Sequence, residues 1–218
     1  ISLYYKFIMS IEIKRSVKPV EYNDAMQLLE ERVDKLINKN GKELIWFLEH
    51  DLIYTAGKSY IKSDILDKKI KITKTSRGGK ITCHSQGQLI CYVVIDLSKR
   101  KKDIRKFIIS LENSIISTLK EFKIKSESDR KNIGIWINNN NQLKKIAAIG
   151  IKVKRWIAYH GFSINLNNNL DYFQKIIPCG IKDKEIIKLE QLTKVDKDTF
   201  LNVLEKKLIK NLSPLNYS

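Results

Sequence analysis

The sequence predicts an α+β domain in which helices flank a mixed central β-sheet. Three segments carry apolar residues at helical spacing, and short runs with strand-like patterns lie between them. No internal repeat occurs, and no low-complexity linker divides the first 180 of the 218 residues. We therefore expect one catalytic-size domain over residues 1–218, ending in a small helical piece over about 194–218.

Two long helices are predicted before that C-terminal piece. The first spans residues 20–39, with Gly41 closing the segment. The second starts at Asp103, which is a suitable N-cap residue, and runs to about Glu121. The residues expected to face the core are Tyr22, Met26, Leu29, Val33 and Leu36 in the first helix, and Ile104, Phe107, Ile108, Leu111, Ile115 and Leu119 in the second.

The segments between and after these helices read as strands. "ELIWFLEH" and "LIYTAG" are short and apolar, and "KIKITKTSRGGKITCHSQGQLICYVVIDL" reads as strands broken by glycine turns. "NIGIWI" and "KKIAAIGIKV" flank the tract "NNNNQ", which is typical of a hairpin loop because both flanks are apolar. "WIAYHGFSINL" is a further strand, and the helical pattern returns near Lys194.

Composition narrows the function classes. The chain has 41 Lys and Arg against 24 Asp and Glu, for a net charge of +17. Lysine, isoleucine and asparagine dominate, which spreads the charge over the surface, and no basic cluster alternates with aromatic residues as a nucleic-acid platform would. We therefore expect no nucleic-acid partner, and a basic surface that suits acidic protein partners.

The chain also lacks signs of a membrane or metal protein. No apolar run approaches the roughly 20 residues that a spanning helix needs. Three cysteines without a CxxC pair match no zinc pattern and indicate a reducing compartment. Met9 is a possible natural start, with residues 1–8 as an upstream extension. These features predict a protein of the bacterial cytoplasm without a metal ion.

Four segments hold candidate functional residues. Cys179 stands in "IIPCGI" between a proline and a glycine, either as a buried apolar residue or as an accessible nucleophile on a tight turn. Lys145 enters the apolar run "KKIAAIG", where it either extends its ammonium to the surface or meets a partner. The other two segments are the glycine-rich "RGGKITCHSQGQL" and "YHGFS", and neither is a nucleotide-binding motif.

Together these segments resemble one protein family. "LEHDLIYTAGKS", "RGGKITCHSQGQL", "YVVIDL", "KIAAIGIKVKRWIAYHGFSINL" and "YFQKIIPCGI" occur in the order found in lipoyl(octanoyl) transferases. These enzymes belong to the biotin/lipoate protein ligase fold group, which is class II synthetase-like. The resemblance runs from about residue 15 to residue 192, and five motifs in order are far more specific than any one of them.

The resemblance implies a two-step acyl transfer. Cys179 would attack an octanoyl group carried by acyl carrier protein, and a lysine amine of a lipoyl domain would then take the acyl group from the thioester. Lys145 falls on the family's motif lysine, which favours the thiolate of the cysteine and can relay a proton in aminolysis. The implied acceptors are lipoyl domains of 2-oxoacid dehydrogenase complexes and the glycine cleavage H protein. The enzyme would work as a monomer without a cofactor.

Three segments fall on the family's substrate-binding positions. Small and apolar residues there would leave a slot for the eight-carbon chain. The residues are Arg77, Gly78, Gly79, Lys80, Ile81, Thr82, Cys83 and His84 in the first segment, Ala148, Ile149 and Gly150 in the second, and Gly161, Phe162 and Ser163 in the third.

The chain departs from the family pattern at two places. Ser85-Gln86 replaces a Gly-Pro pair, and Ile186-Ile187-Lys188 replaces a run that contains two hydroxyl residues. The first change bears on the rigidity of the loop, and the second on the support around Cys179.

Three alternative functions stay open at this point. An ATP-dependent ligase of the same fold would not require Cys179. A cysteine hydrolase using His84 or His160 would release free acid. A non-catalytic basic binding module would not retain an acyl group.

Overall fold

The computed structural model describes residues 11–139, 141–178 and 185–214. Cys179 and residues 1–8 therefore lie outside the described residues. The helices are α1 (Tyr22–Ile37), α2 (Ile104–Glu121) and α3 (Lys197–Asn211). The strands are β1 (Ile11–Arg15), β2 (Glu43–Leu48), β3 (Ile53–Ala56), β4 (Ile72–Lys74), β5 (Ile81–His84), β6 (Gln88–Asp96), β7 (Glu127–Ser128), β8 (Ile135–Asn139), β9 (Gln142–Lys154) and β10 (Ile157–Asn165).

The strands form two sheets. The large sheet has the order β1-β2-β6-β10-β9-β8-β7, in which only the β1–β2 pair is parallel. The small sheet has the order β4-β3-β5, with β3 parallel to β4 and antiparallel to β5. The mixed sheet flanked by helices that the sequence predicts is confirmed.

Side chains that alternate along the central strands build a core on each face of the large sheet. On β6, for example, Cys91 and Val93 pack on the α2 and α3 side, whereas Tyr92 and Val94 pack on the α1 side. A third, smaller cluster fills the space under the small sheet.

The helices begin at acidic caps. The Asp103 carboxylate accepts from the Lys106 amide at 2.8 Å, so the N-cap predicted for α2 is confirmed. Asp196 caps α3 in the same way through the Thr199 amide, two residues after the predicted start. The expected burial of Ile104 is wrong, because this first residue of α2 is 40% exposed.

Candidate functional site

A cavity of about 580 Å³ lies between the large sheet and the loop that precedes β5. The structure brings most of the sequence-predicted substrate residues to its wall. These are Arg77, Gly78, Gly79, Lys80, Ile81, Thr82, His84, Ala148, Ile149, Gly150, Gly161, Phe162 and Ser163, together with Lys145.

Cys83 is not among the lining residues. Residues 82 and 84 of β5 face the cavity, so the alternation of a strand turns the Cys83 side chain to the other face. It packs there in the cluster that contains Tyr54 and Phe173, where burial raises the pKa of its thiol. This thiol is therefore shielded from the cavity.

Small residues form the floor of the cavity. Ala148 of β9 lies opposite Ser163 of β10, and two residues further along Gly150 lies opposite Gly161. Both pairs line the cavity, which places them on one face of the sheet. Because these four residues carry almost no side chain, they leave a shallow trough along the two strands.

The roof over this trough is the Arg77–Gly79 turn. The Arg77 guanidinium donates to the Thr55 carbonyl and hydroxyl oxygens, both at 2.9 Å, and to the Gly78 carbonyl oxygen at 3.0 Å. Gly57 lies under the turn, and a Cβ there would stand 2.4 Å from the Gly79 carbonyl oxygen. The close approach of two backbones thus explains a glycine at position 57.

Lys145 lies at one end of the trough and is only 7% exposed. Its Nζ donates to the Ile133 carbonyl oxygen at 3.1 Å and stands 4.6 Å from the centre of the Trp136 ring. These contacts hold the ammonium in the wall of the cavity.

Lys145 also lines a second, smaller cavity together with Pro178 and Ile186. Its amide donates to the Glu185 carbonyl at 2.8 Å, and its carbonyl accepts from the Ile187 amide at 3.0 Å. The backbone of Lys145 is therefore bonded to residues 185 and 187, and Pro178 lines the same small cavity.

His84 is a buried titratable residue in the wall of the cavity. Its Nδ1 lies 2.7 Å from the Gln88 Oε1, the Gln88 amide donates to the Asn165 Oδ1 at 2.8 Å, and the Asn165 amide donates to the Ile187 carbonyl at 3.2 Å. A carbonyl only accepts, so this chain of bonds assigns the proton of neutral His84 to Nδ1. Burial lowers the pKa of His84 to about 3.

Comparison with known proteins identifies the family of this chain. A family model described as the lipoyl protein ligase A/B catalytic domain matches residues 21–209. The octanoyltransferase of Anaplasma phagocytophilum (strain HZ) is 40% identical over 205 residues, which cover 93% of this chain and 99% of the relative. That of Ehrlichia ruminantium (strain Gardel) is 44% identical over 184 residues, covering 84% and 88%. The chain belongs to the lipoyl protein ligase A/B catalytic domain family.

Family membership and the octanoyltransferase relatives make the chain an acyltransferase. The family resemblance and the enzyme class that the sequence predicts are therefore both confirmed. A crystal structure of lipoate-protein ligase A bound with ATP superposes with a TM-score of 0.69 at 16% identity, covering 92% of this chain and 85% of that chain. At that identity the likeness concerns the fold, and it confirms the predicted lipoate protein ligase-like architecture.

The structure adds residues to the lipoyl protein ligase A/B site that the sequence did not single out. Tyr22 of α1 is buried, as expected, and it also lines the cavity together with Tyr92. Ile104, Ile108 and Ile133 form part of the wall on the α2 side. The sequence around these residues does not mark them as cavity residues, because they come together only when helices and strands that are far apart in the chain pack against each other.

Both departures from the family pattern lie in segments that hydrogen bonds hold in place. The Gln86 amide donates to the Asp51 carboxylate at 2.7 Å, which ties the loop to the segment after β2. Ile187 is buried in the core and offers its carbonyl to Asn165. Backbone contacts thus support this side of the site where the family has hydroxyl side chains.

Neither a metal centre nor a membrane span is found in the part of the chain that the structure describes. No three His, Cys, Asp or Glu side chains there come together as metal ligands would. None of the helices in those residues combines the length and apolar character that crossing a bilayer requires.

Proposed function

We propose that this acyltransferase moves an octanoyl group from octanoyl-acyl carrier protein to a lysine amine of a lipoyl domain, through a thioester on Cys179. The observation that carries the proposal is the cavity shared by Lys145 and Pro178. Cys179 is the next residue after Pro178, and consecutive Cα atoms are ~3.8 Å apart. We therefore expect the Cys179 thiol to approach the Lys145 ammonium.

In the first step the Cys179 thiolate attacks the carbonyl carbon of the octanoyl thioester. The carbon–sulfur bond to the carrier breaks, and the phosphopantetheine thiolate leaves and takes up a proton. An ammonium close to the sulfur favours the thiolate form, which is the nucleophile. Lys145 supplies this charge from a position fixed by Ile133 and Trp136.

In the second step the lysine amine of the acceptor attacks the acyl-enzyme. An amide bond forms, the Cys179 thiolate is released, and the attacking amine gives a proton to the neutral Lys145 amine, which had given its own proton to the leaving phosphopantetheine thiolate in the first step. The thioester already supplies an activated acyl group, so this route consumes no ATP. The names of the curated relatives support octanoyl transfer, and the acceptors we propose are lipoyl domains of 2-oxoacid dehydrogenase complexes and the glycine cleavage H protein.

Intact-mass measurement tests the covalent step. After incubation with octanoyl-acyl carrier protein, the enzyme is expected to gain the mass of one octanoyl group and to lose it when an unmodified lipoyl domain is added. Cys179→Ala should remove the gain, whereas Cys83→Ala, which changes a thiol facing away from the cavity, should retain it. An amide product that forms only from free octanoate and ATP, with Cys179→Ala fully active, would instead establish a ligase.

A further inference from the structure

The trough between Lys145 and the roof has a definite end. The Gly150 Cα–H faces the Arg77 side chain, and a Cβ built on Gly150 would lie 3.5 Å from the Arg77 Cδ and 3.5 Å from the Gly78 carbonyl oxygen. Those are ordinary van der Waals distances for a single added carbon. A hydrocarbon chain, which needs such a distance on each of its sides, cannot pass between Gly150 and Arg77.

We propose that the contact of Arg77 over Gly150 is the stop that limits the acyl chain to about eight carbons. This inference rests on the proposed function, because it names the substrate that the same cavity selects. Arg77 acts here as a specificity residue, through the position of its side chain.

The length of the trough agrees with this limit. Gly150 follows Lys145 by five residues on β9, which is about 16 Å at the rise of a strand, and slightly less because of the irregularity beside Ile135. An extended chain advances about 1.25 Å for each carbon–carbon bond of about 1.5 Å, so the seven bonds of an octanoyl group span about 9 Å. The carbonyl beside Lys145 and the radius of the terminal methyl group take up most of the remainder.

The stop is held firmly in place. The Arg77 guanidinium bonds to both oxygens of Thr55, and the Arg77 and Gly79 carbonyl oxygens accept from the amides of Lys58 and Ser59, both at 3.1 Å. Moving Arg77 away from Gly150 would therefore break several hydrogen bonds to the small sheet at once.

The space beyond the stop is unsuited to a hydrocarbon. His160 lines the cavity there, is 3% exposed, and its Nε2 has no hydrogen-bond partner. The ring centres of His160 and Tyr159 are 4.9 Å apart, so these successive side chains lie on the same face of the strand. Side chains of a regular strand alternate between faces, and the left-handed φ of 69° at His160 accounts for the exception. A hydrocarbon reaching this nitrogen could not supply the hydrogen bond that it lacks.

A competing path for the chain exists on the α2 side of β9. Ile104, Ile108 and Ile133 line that part of the cavity, but Ile104 is 40% and Ile133 46% exposed. A chain laid there would stay partly in water, whereas the trough is covered by the roof. The trough therefore offers the larger apolar burial, which is the main gain in binding a hydrocarbon.

The experiment measures the affinity of S-acyl pantetheines with 6, 8, 10 and 12 carbons for Cys179→Ala protein. Each buried methylene group contributes about 0.8 kcal/mol to binding, so the affinity reports the length of chain that the trough accepts. Affinity should rise up to 8 carbons and then fall. Adding Arg77→Ala should raise the affinity ratio of the 10-carbon to the 8-carbon compound by about tenfold, from two more buried methylene groups. Gly150→Ala, whose Cβ fits the observed gap, should lower the ratio of 8 to 6 carbons several-fold. Thermal unfolding checks that each variant is folded.

The matched control is Ile108→Ala, which enlarges the competing path. If this variant shifts the preferred length while Arg77→Ala and Gly150→Ala leave it unchanged, the stop is elsewhere and the inference is wrong. Acyl-enzyme formation with Cys179 intact is measured in parallel. Length-selective binding without any acyl-enzyme would refute the proposed transfer and support Arg77 as the limit on chain length. Acyl-enzyme formation at equal rates for all lengths would support the transfer and refute that limit.

Discussion

At the scale of the residue, Lys145 joins the two halves of the proposed chemistry. One side of this side chain contacts Ile133 and Trp136, and its backbone is bonded to residues 185 and 187 on the far side of Cys179. One residue of β9 thus holds both the ammonium and the segment at residues 185–187. A lysine at this position has a defined place from which to act on a thiol.

Replacing the ammonium should slow acylation without unfolding the protein. Lys145→Met keeps the apolar stem over Trp136 and removes the charge. We expect the rate of acyl-enzyme formation to fall by about 10²-fold, with the optimum shifted to higher pH, because loss of a positioned acid–base group costs about 10²–10⁴-fold. Lys154→Met on the same strand, which removes only a surface pair with Asp34, is the control. A Lys145→Met enzyme with more than a tenth of the wild-type rate would count against the assigned role.

The buried histidines predict how stability depends on pH. Burial is the main cause that lowers the pKa values of His84 and His160 to about 3, whereas unfolded imidazoles titrate near their ordinary value of 6.5. The unfolded chain then binds more protons, so this contribution is fully present above pH 6.5 and is lost as the pH falls towards 3. His160→Asn, which tolerates the left-handed backbone, should reduce the slope of the unfolding free energy by up to ~1.4 kcal/mol per pH unit. Urea titrations at several pH values measure it, and equal slopes in both proteins would contradict the expectation.

At the scale of the element, a buried ion pair ties α3 to the large sheet. Arg100 donates to the Glu43 carboxylate at 2.7 and 2.8 Å and to the Leu212 carbonyl oxygen at 2.7 Å. Arg100 is fully buried and Glu43 is 1% exposed. The start of β2 and the end of α3 therefore share one guanidinium.

Arg100→Met should leave the Glu43 carboxylate buried without its partner and destabilise the fold by about 3–5 kcal/mol. The double variant Glu43→Gln/Arg100→Met should recover part of that loss, because the uncompensated charge is gone. Denaturant unfolding gives both values. A loss under 1 kcal/mol for the single variant would mean that water or another group replaces the guanidinium.

The sequence predicts those helices and strands whose ends are set by nearby residues, such as a helix cap or a hairpin loop. Asp103 marks the start of α2, and β8 and β9 pair as the predicted hairpin, although Asn138, Asn139 and Gln142 of the polar tract belong to the strands. β1 was missed because its partner β2 lies some 30 residues away and pairs in parallel, which no local pattern announces. The division into two sheets was missed for the same reason.

Site residues divide in a similar way. Positions such as Gly78, Gly150 and Gly161 were found through a family resemblance carried by ordered motifs, and the structure collects them at one cavity. Cys83 shows the limit of transferring a whole segment, since strand alternation turns every second side chain away. The contact of Arg77 over Gly150 joins residues 73 positions apart and depends on packing alone.

At the scale of the whole molecule, the excess of positive charge bears on how the proposed carrier-protein substrate would bind. The net charge of +17 exceeds what solubility requires. Lys80 and Lys131 line the cavity itself. Carrier proteins with acidic surfaces would be drawn to this side of the enzyme, and such attraction acts mainly on association rates.

Raising the ionic strength should therefore lower kcat/KM for octanoyl-acyl carrier protein by about tenfold or more between low salt and 0.3 M, because screening shortens the range of the attraction. The neutral compound octanoyl-pantetheine uses the same cavity without the acidic carrier, so its kcat/KM should change little. Lys131→Glu at the cavity should weaken the salt dependence with the carrier protein more than Lys206→Glu on the exposed face of α3. Stopped assays of acyl-enzyme formation provide the rates. Equal salt dependence for carrier protein and pantetheine would place the effect of salt in the chemistry or the fold, and steering by the basic surface would then have no part in this enzyme.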